Sequence, residues 1–326
     1  MTGAVSRSRP AFGVDLGGTN LRCAVVDEHG SVLDLVHTPT PATLDEIVQQ
    51  IAGSIDELAT RHPDAQAVGI GAAGMIDFDG VVHYAPNIPA FVRAPLRGLV
   101  ADATGRAVVV DNDANVAALG ELVHGAGRGL TDFLLVTLGT GVGGGVVIDG
   151  QVFRGAHGFG AEIGHFQVDP NGPMCMCGER GHWEAVASGR ALGMLGRERA
   201  ATGDAPAVLA RAGGDVDAIT GMHVGESARA GDADALSIVR SYAEQVAIGL
   251  VGLANILDPA VILVSGGLVG LGAALLDPMR SWFDGHIEGA RYRAPVEILP
   301  AVLGDDAGVV GAAALARTAD RLRAPA

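Results

Sequence analysis

The sequence predicts an α/β protein of two domains, with mixed sheets flanked by helices. Three observations predict it. Short β-branched runs alternate with longer stretches of helical apolar spacing. A strand–glycine–strand unit occurs twice, in residues 12–30 and again in residues 133–150. The length, 326 residues, suffices for two ordinary hydrophobic cores.

The elements follow in order. Phe12–Asp15 reads as a strand, Gly17-Gly18-Thr19 as a glycine corner, Cys23–Val26 as the returning strand, and His29-Gly30 as its turn. Thr43–Ala59 has helical spacing, with Leu44, Ile47, Val48, Ile51, Ile55 and Leu58 on one face. Val68–Ile70 is a short buried strand, and Ala107–Val110 another, ending at Asp111-Asn112-Asp113 before a helix over Ala114–Val123. The second unit has a strand at Phe133–Leu138, a corner at Gly139-Thr140-Gly141, a strand at Gly145–Ile148 and a turn at Asp149-Gly150. Helices near 184–200 and 232–257, a strand over Ala260–Val264 and a last helix from Val309 to about Arg323 complete the pattern. A domain boundary is expected near residue 115, giving a small domain of 1–114 plus 306–326 and a large one of 115–305.

Composition narrows the chemistry. Asp plus Glu total 37 against 22 Lys plus Arg, a net charge of −15, which argues against a protein that neutralises nucleic-acid phosphates. All 22 basic residues are Arg. A Walker-type phosphate lysine, a pyridoxal Schiff base and a kinase strand lysine are therefore excluded. Phosphate handling falls to backbone amides, hydroxyls, Arg or a metal. Hydrophobic residues make up 48%, so the chain is folded. Three cysteines rule out a disulfide scaffold. Residues 1–10 do not read as a signal peptide, and Val246–Leu257 is too short to span a bilayer, so a cytoplasmic location is expected.

Three constellations carry chemistry. In Asp15-Leu16-Gly17-Gly18-Thr19 a carboxylate ends a strand, two glycines admit an anion to the backbone, and a hydroxyl follows. Gly139-Thr140-Gly141 repeats the device, so the two corners together can hold a nucleotide's phosphates without lysine. In Asp111-Asn112-Asp113-Ala114-Asn115 the acidic run is either a solvated helix cap or a source of a general base. Its place at a strand end beside a phosphate corner favours the base, assigned to Asp113. The third is His165 followed by Cys175, Cys177 and His182, four zinc-type donors forming a closed, structural site.

The first constellation resembles the superfamily of sugar kinases, Hsp-type chaperones and actin, a two-domain actin-like ATPase (ribonuclease H-like) fold with its active site in the interdomain cleft. Val261–Gly267 resembles that superfamily's adenosine-side segment. Taken with Pro86–Pro89, Leu138–Gly145, Glu162-Ile163-Gly164-His165, the cysteine-rich segment and Leu303–Gly308, the chain resembles the ROK family of bacterial sugar kinases, its glucokinase branch most closely. The resemblance spans Phe12 to about Ala316. It implies ATP-dependent phosphorylation of glucose on the 6-hydroxyl, with Asp113 as base. Asn112, Glu162, His165 and Glu184 would hold the sugar, with Asn87 nearby. Gly17, Gly18, Thr19, Thr137, Gly139 and Thr140 would orient the phosphates, with Gly266 and Gly267 under the nucleoside. Magnesium would sit near Asp15 through water, and zinc in the loop 160–184. His165 would serve both the zinc and the sugar. A homodimer or higher assembly is implied, with no nucleic-acid or membrane partner. Other hexoses (N-acetylmannosamine, fructose, mannose), polyphosphate as donor, or a non-catalytic sugar-sensing regulator are the alternatives.

Three departures from the family pattern stand out. His182 replaces a usual cysteine, and Asn20 stands where relatives often carry lysine. Gly160-Ala161 precedes Glu162 where Ala-Gly is usual, which is expected to move the flexible backbone position by one residue. The remaining candidates read as structural. His83 and Tyr84 belong to a hairpin, Asp77 and Asp79 to a turn, and Cys23 to the core. Arg197 and Arg199 read as a solvated helix face, and Asp305-Asp306 as a cap for the last helix. His157, in a glycine-rich loop, is a secondary candidate for substrate contact.

Overall fold

The computed structural model describes residues 9–317. In chain order the elements are β1 (Ala11–Leu16), β2 (Asn20–Val26), β3 (Val32–Pro39), α1 (Leu44–Arg61), β4 (Val68–Ala72), β5 (Met75–Ile76), β6 (Val82–Tyr84), β7 (Val92–Ala94), α2 (Leu96–Thr104), β8 (Val108–Asn112), α3 (Asp113–His124), β9 (Phe133–Leu138), β10 (Val142–Ile148) and β11 (Gln151–Val152). They continue with α4 (Trp183–Ala187), α5 (Gly189–Ala201), α6 (Pro206–Arg211), α7 (Gly221–Arg229), α8 (Ala233–Leu257), β12 (Val261–Ser265), α9 (Ala273–His286), β13 (Glu297–Pro300) and α10 (Ala307–Ala316). Short 3₁₀ turns lie at Ile163–His165, Gly267–Leu271 and Gly304–Asp306. The part of the expected last helix beyond Arg317 falls outside the described residues.

The chain forms two compact units. The first holds the described residues up to Leu135, Gly145–Ala161, and the stretch from Ala301; the second holds Val136–Gly144 and Glu162–Pro300. The boundary expected near residue 115 lies inside α3, which belongs wholly to the first unit because it packs on α10 and β4.

The first unit is built on a sheet of order β3-β2-β1-β4-β8. β1, β2 and β3 are antiparallel, whereas β1, β4 and β8 run parallel. Glycine corners allow the first kind of connection, while the second needs the crossover helices α1 and α2. One sheet face packs Phe12, Val14 and Leu16 against Ile47, Ile51, Ile55 and Leu58 of α1. Thr43 and Glu46 start α1 as a reciprocal cap. The other face meets α10 through Val309, Val310, Ala313 and Ala316. β5, β6 and β7 form a small antiparallel sheet that carries His83 and Tyr84, as the expected hairpin does. Cys23 is fully buried, as expected of a core thiol.

A second five-stranded sheet has the order β11-β10-β9-β12-β13. In the second unit α8 spans 25 residues, capped by Asp232 at its start and by a left-handed Asp258 at its end, with Pro259 following. It packs on α9 and α7. Among the described residues no helix is long and apolar enough to cross a membrane. The helix expected near 184–200 is two helices. Ser188 takes an extended conformation and its hydroxyl accepts the Ala191 N–H at 3.3 Å, so a new helix starts there. Arg197 is not merely solvated: its Nε donates to the Ile219 carbonyl at 2.9 Å.

Glu121 of α3 is fully buried, and its carboxylate accepts the N–H groups of Ala126 at 2.7 Å, Val302 at 3.1 Å and Leu303 at 2.9 Å. It thereby fixes the strand-to-helix connection that delivers α10. Glu121→Gln leaves at least one of these donors without an acceptor. It is expected to lower unfolding stability by about 2–4 kcal/mol in urea titrations, while Glu57→Gln on the exposed face of α1 changes it by less than about 0.5 kcal/mol.

Candidate active site

The first unit brings together Asp15, Gly17, Gly18, Thr19, Asn87, Asn112 and Asp113. The corner after β1 is held shut by a Gly17 N–H to Asn20 carbonyl bond of 3.0 Å and by Thr40. The Thr40 hydroxyl donates to the Gly17 carbonyl at 2.7 Å, and its N–H to that of Thr19 at 2.9 Å. Gly18 passes so close to Asn87 that a Cβ there would lie 2.7 Å from the Asn87 oxygen. Asn87 is therefore a wall of this corner. Asp15 lies against the first turn of α10, where a Cβ at Gly308 would come within 2.6 Å of its carboxyl. Gly308 sits in one of the recognised motifs, yet its role as the floor under Asp15 has no sequence signal.

At the same, carboxyl end of the parallel strands, level with Leu16 and Ala72, Asn112 caps α3. Its Oδ1 accepts the N–H groups of Ala114 at 2.9 Å and Asn115 at 3.2 Å, and its Nδ2 donates to the Gly74 carbonyl at 3.2 Å. The cap is thus Asn112, and Asp113 is the first helical residue. Asp113 Oδ1 accepts the Ala114 N–H at 2.9 Å. Burial pushes the Asp113 carboxyl above the ordinary range, and Asp111 adds to the rise. The Ala114 N–H, its own N–H and Asn112 oppose it. Asp15 is pushed up to about 6, first by burial and then by Asp113, against the pull of Arg22. The charge on Asp113 thus opposes the ionisation of Asp15. Arg22 is engaged by the Asp305 carbonyl and, at 2.6 Å, by Asp306. Asp306 makes no side-chain cap for α10, in contrast to the expectation; its carboxylate serves Arg22 instead.

The second unit carries Thr137, Gly139, Thr140, Glu162, His165, Cys175, Cys177, His182, Glu184, Gly266 and Gly267. The corner after β9 mirrors that after β1, with the Gly139 N–H bonded to the Gly141 carbonyl at 3.0 Å. Thr137 Oγ1 accepts the Gly143 N–H at 3.2 Å. The Gly139 carbonyl takes the Gly189 N–H at 2.8 Å, which sets the start of α5 against the corner. Gly266 and Gly267 follow β12, both exposed, with Gly266 at φ +94°. Glu184 Oε2 accepts the Val142 N–H at 3.0 Å, and Glu184 Oε1 accepts from Cys175 Sγ at 3.4 Å.

The donor atoms of His165, Cys175, Cys177 and His182 lie within 4.8 Å of one another. Cys175 Sγ is 3.9 Å from His165 Nδ1, and Cys177 Sγ is 3.2 Å from His182 Nδ1. Two sulfurs and two imidazole nitrogens at such separations fit a tetrahedral zinc ion. Trp183, fully buried, pins this segment through an Nε1–H bond of 3.2 Å to the Gln245 carbonyl of α8.

The inverted Gly160-Ala161 pair does not move the left-handed position. Ala161 has φ +69° and Gly160 has no positive φ. Gly160 is instead demanded by crowding, since a Cβ there would lie 2.8 Å from Arg154 and Gly155 backbone. His157 is exposed, His83 pairs with Asp77 at 2.8 Å, and Asp77 Oδ1 accepts the N–H groups of Asp79 and Val81, a local turn.

A family model described as the ROK family matches residues 11–319. The glucokinase of Streptomyces coelicolor is 42% identical over 312 residues, covering 95% of this chain and 98% of its own. That of Thermotoga maritima is 38% identical over 307 residues, 93% and 96% of the two chains. The crystal structure of a ROK family glucokinase from Streptomyces griseus, in complex with glucose and AMPPNP, matches with a TM-score of 0.86 at 43% identity, covering 95% of this chain and 99% of that one. These neighbours have the actin-like ATPase fold expected from the paired corners. The chain belongs to the ROK family.

Proposed function

We propose that this chain transfers the γ-phosphoryl group of ATP to the 6-hydroxyl of glucose, with Asp113 as the general base. Relatives that bear the name glucokinase, and a structural neighbour that holds glucose and AMPPNP, support the sugar and the donor. The single observation that carries the base is a carboxylate on the first turn of α3, in the same unit as the Gly17–Thr19 corner and beside Asp15.

The chemistry follows from these groups. Asp113, ionised, takes the proton of the 6-hydroxyl as its oxygen bonds to the γ-phosphorus and the bond from that phosphorus to the ADP oxygen breaks. Asn112, held by the Gly74 carbonyl and the first N–H groups of α3 and set against the Asp113 carboxyl, presents its Nδ2 to a sugar oxygen. Asn87, Glu162, His165 and Glu184 hold the remaining hydroxyls. Gly17, Gly18, Thr19, Thr137, Gly139 and Thr140 offer N–H and O–H donors to the phosphates, which fits a chain without lysine. The Asp15 carboxylate, strained by its acidic neighbour, suits magnesium, which when bound would neutralise phosphate charge. A zinc ion held by His165, Cys175, Cys177 and His182 would stiffen the segment bearing His165 and Glu184. With Nδ1 of His165 turned to the metal, Nε2 is left for the sugar. Free thiols at such a cluster suit a reducing compartment such as the cytoplasm.

Asp113→Asn should reduce glucose-dependent ADP release by at least about 100-fold while glucose affinity by calorimetry changes only a few-fold. Activity within a few-fold of the parent would remove Asp113 as base. Asp15→Asn should abolish turnover yet raise the melting temperature at pH 8, because a carboxyl raised to about 6 is held ionised there against burial. The folded state gains from protonation, so stability from Asp15 is present below pH 4 and is lost as pH rises through about 6; the effect is on the order of 3 kcal/mol. The gain in the variant should therefore shrink as melts move from pH 8 to pH 4. Metal analysis of protein purified without added zinc should find about one equivalent per chain, and Cys175→Ser should lower it.

A further inference from the structure

A buried ion pair lies just before the proposed base. Asp111 of β8 is 5% exposed, and Arg154 Nε meets its Oδ2 at 2.6 Å, the Arg154 side chain being 14% exposed. Asp111 Oδ1 accepts the Asn112 N–H at 2.8 Å and the Asn115 Nδ2–H at 3.2 Å. These residues flank Asp113 on both sides, so one carboxylate orients the whole turn that presents the base. Arg154 also ties the loop behind that turn. Its Nη1 donates to the Val152 carbonyl at 3.0 Å, and its own carbonyl accepts the Gly160 N–H at 2.9 Å.

We propose that Arg154 is a positioning residue for phosphoryl transfer: its guanidinium neutralises Asp111, so that Asp111 can hold Asn112 and Asn115 around Asp113 without setting a bare charge beside it. The inference rests on the reading of Asp113 as base. Without Arg154, a buried Asp111 has two courses. Ionised, it repels the charge on Asp113; protonated, it turns an acceptor into a donor facing two N–H groups. Either course makes Asp113 a poorer base at neutral pH. Arg suits the place because its planar fork serves Asp111 and the Val152 carbonyl at once. The other charges facing this corner are Asp15 from β1, Arg22 from β2 with its partner Asp306, and Asp77, which lines the recess beside Asp111 and Arg154 and is paired with His83.

The test is the pH dependence of kcat/KM for glucose in three variants. Arg154→Met should lower kcat at least about tenfold and move the acid limb up by about one pH unit, with the calorimetric Kd for glucose within about threefold of the parent. Asp111→Asn, which leaves the guanidinium uncompensated, should move the limb the other way. The double variant should return the limb to within a few tenths of a unit of the parent and recover much of the lost kcat, because no bare charge remains. A merely structural role predicts a double variant at least as impaired as either single one, with limbs unmoved. That result, or an Arg154→Met enzyme with parental kcat and limb, overturns the inference. If Arg154→Met does not fold, the opposed shift of Asp111→Asn and the recovery in the double variant still decide it. Asp113→Asn separates the two readings. Parental activity there removes the base itself, whereas an inactive Asp113→Asn beside an unaffected Arg154→Met removes only the role of Arg154.

Discussion

The burial of two neighbouring carboxyls, Asp15 and Asp113, is the constraint around which the site in the first unit is arranged. Each carboxyl is denied water by the protein around it and so is harder to ionise, and the charge of Asp113 adds to the rise at Asp15. A fold that keeps such a pair must supply compensation close by. It does so with directed N–H groups at the start of α3, with Arg22 on β2 and with Arg154 behind Asp111. None of these is a freely swinging ammonium. Each is a planar or backbone donor whose direction is set before any ligand arrives, which is the condition for stabilising charge without reorganising the site.

The second unit meets a related need by a different route. Its corner at Gly139–Val142 has no acidic residue of its own, and Glu184 reaches it from α4 to accept the Val142 N–H. The same carboxylate is in contact with Cys175, one of the four metal-type donors. Corner, acid and thiol are therefore one continuous network, pinned by the buried Trp183 next to Glu184. The break at Ser188 belongs to this logic too. An unbroken helix would carry Gly189 away from the Gly139 carbonyl, whereas the break brings the N-terminus of α5 onto the corner.

The α/β class, the paired corners, the long helix α8 and the Cys/His cluster were legible because each is local: a glycine pair after a β-branched run, a 3.6-residue period, a Cys-x-Cys spacing. β3, α2, α6, α7, α9 and β13 were not singled out. β3 alternates half-buried and exposed residues at a sheet edge, so Leu33 and Leu35 remain exposed and the apolar signal is thin. The site residues that escaped notice act across long sequence separations. Arg154 stands alone in a glycine-rich loop, 43 positions from Asp111, and Glu121 finds Val302 and Leu303 more than 180 positions away. No spacing rule announces such a pairing. Only burial shows that these charges are committed.

The exchanged glycine ahead of Glu162 shows how a loop can keep its shape while its residues change. The left-handed turn stays at position 161, although alanine there carries on the order of 1 kcal/mol of strain that glycine would not. The reason lies at position 160, where the Arg154 carbonyl receives the Gly160 N–H and leaves no room for a side chain. Residue 160 packs against the backbone of Arg154 and Gly155, where only glycine fits in this chain, and alanine carries the left-handed backbone at 161. The loop that leads to Glu162 is thus tied, through the Arg154 carbonyl, to the same guanidinium that pairs with Asp111 at the start of α3.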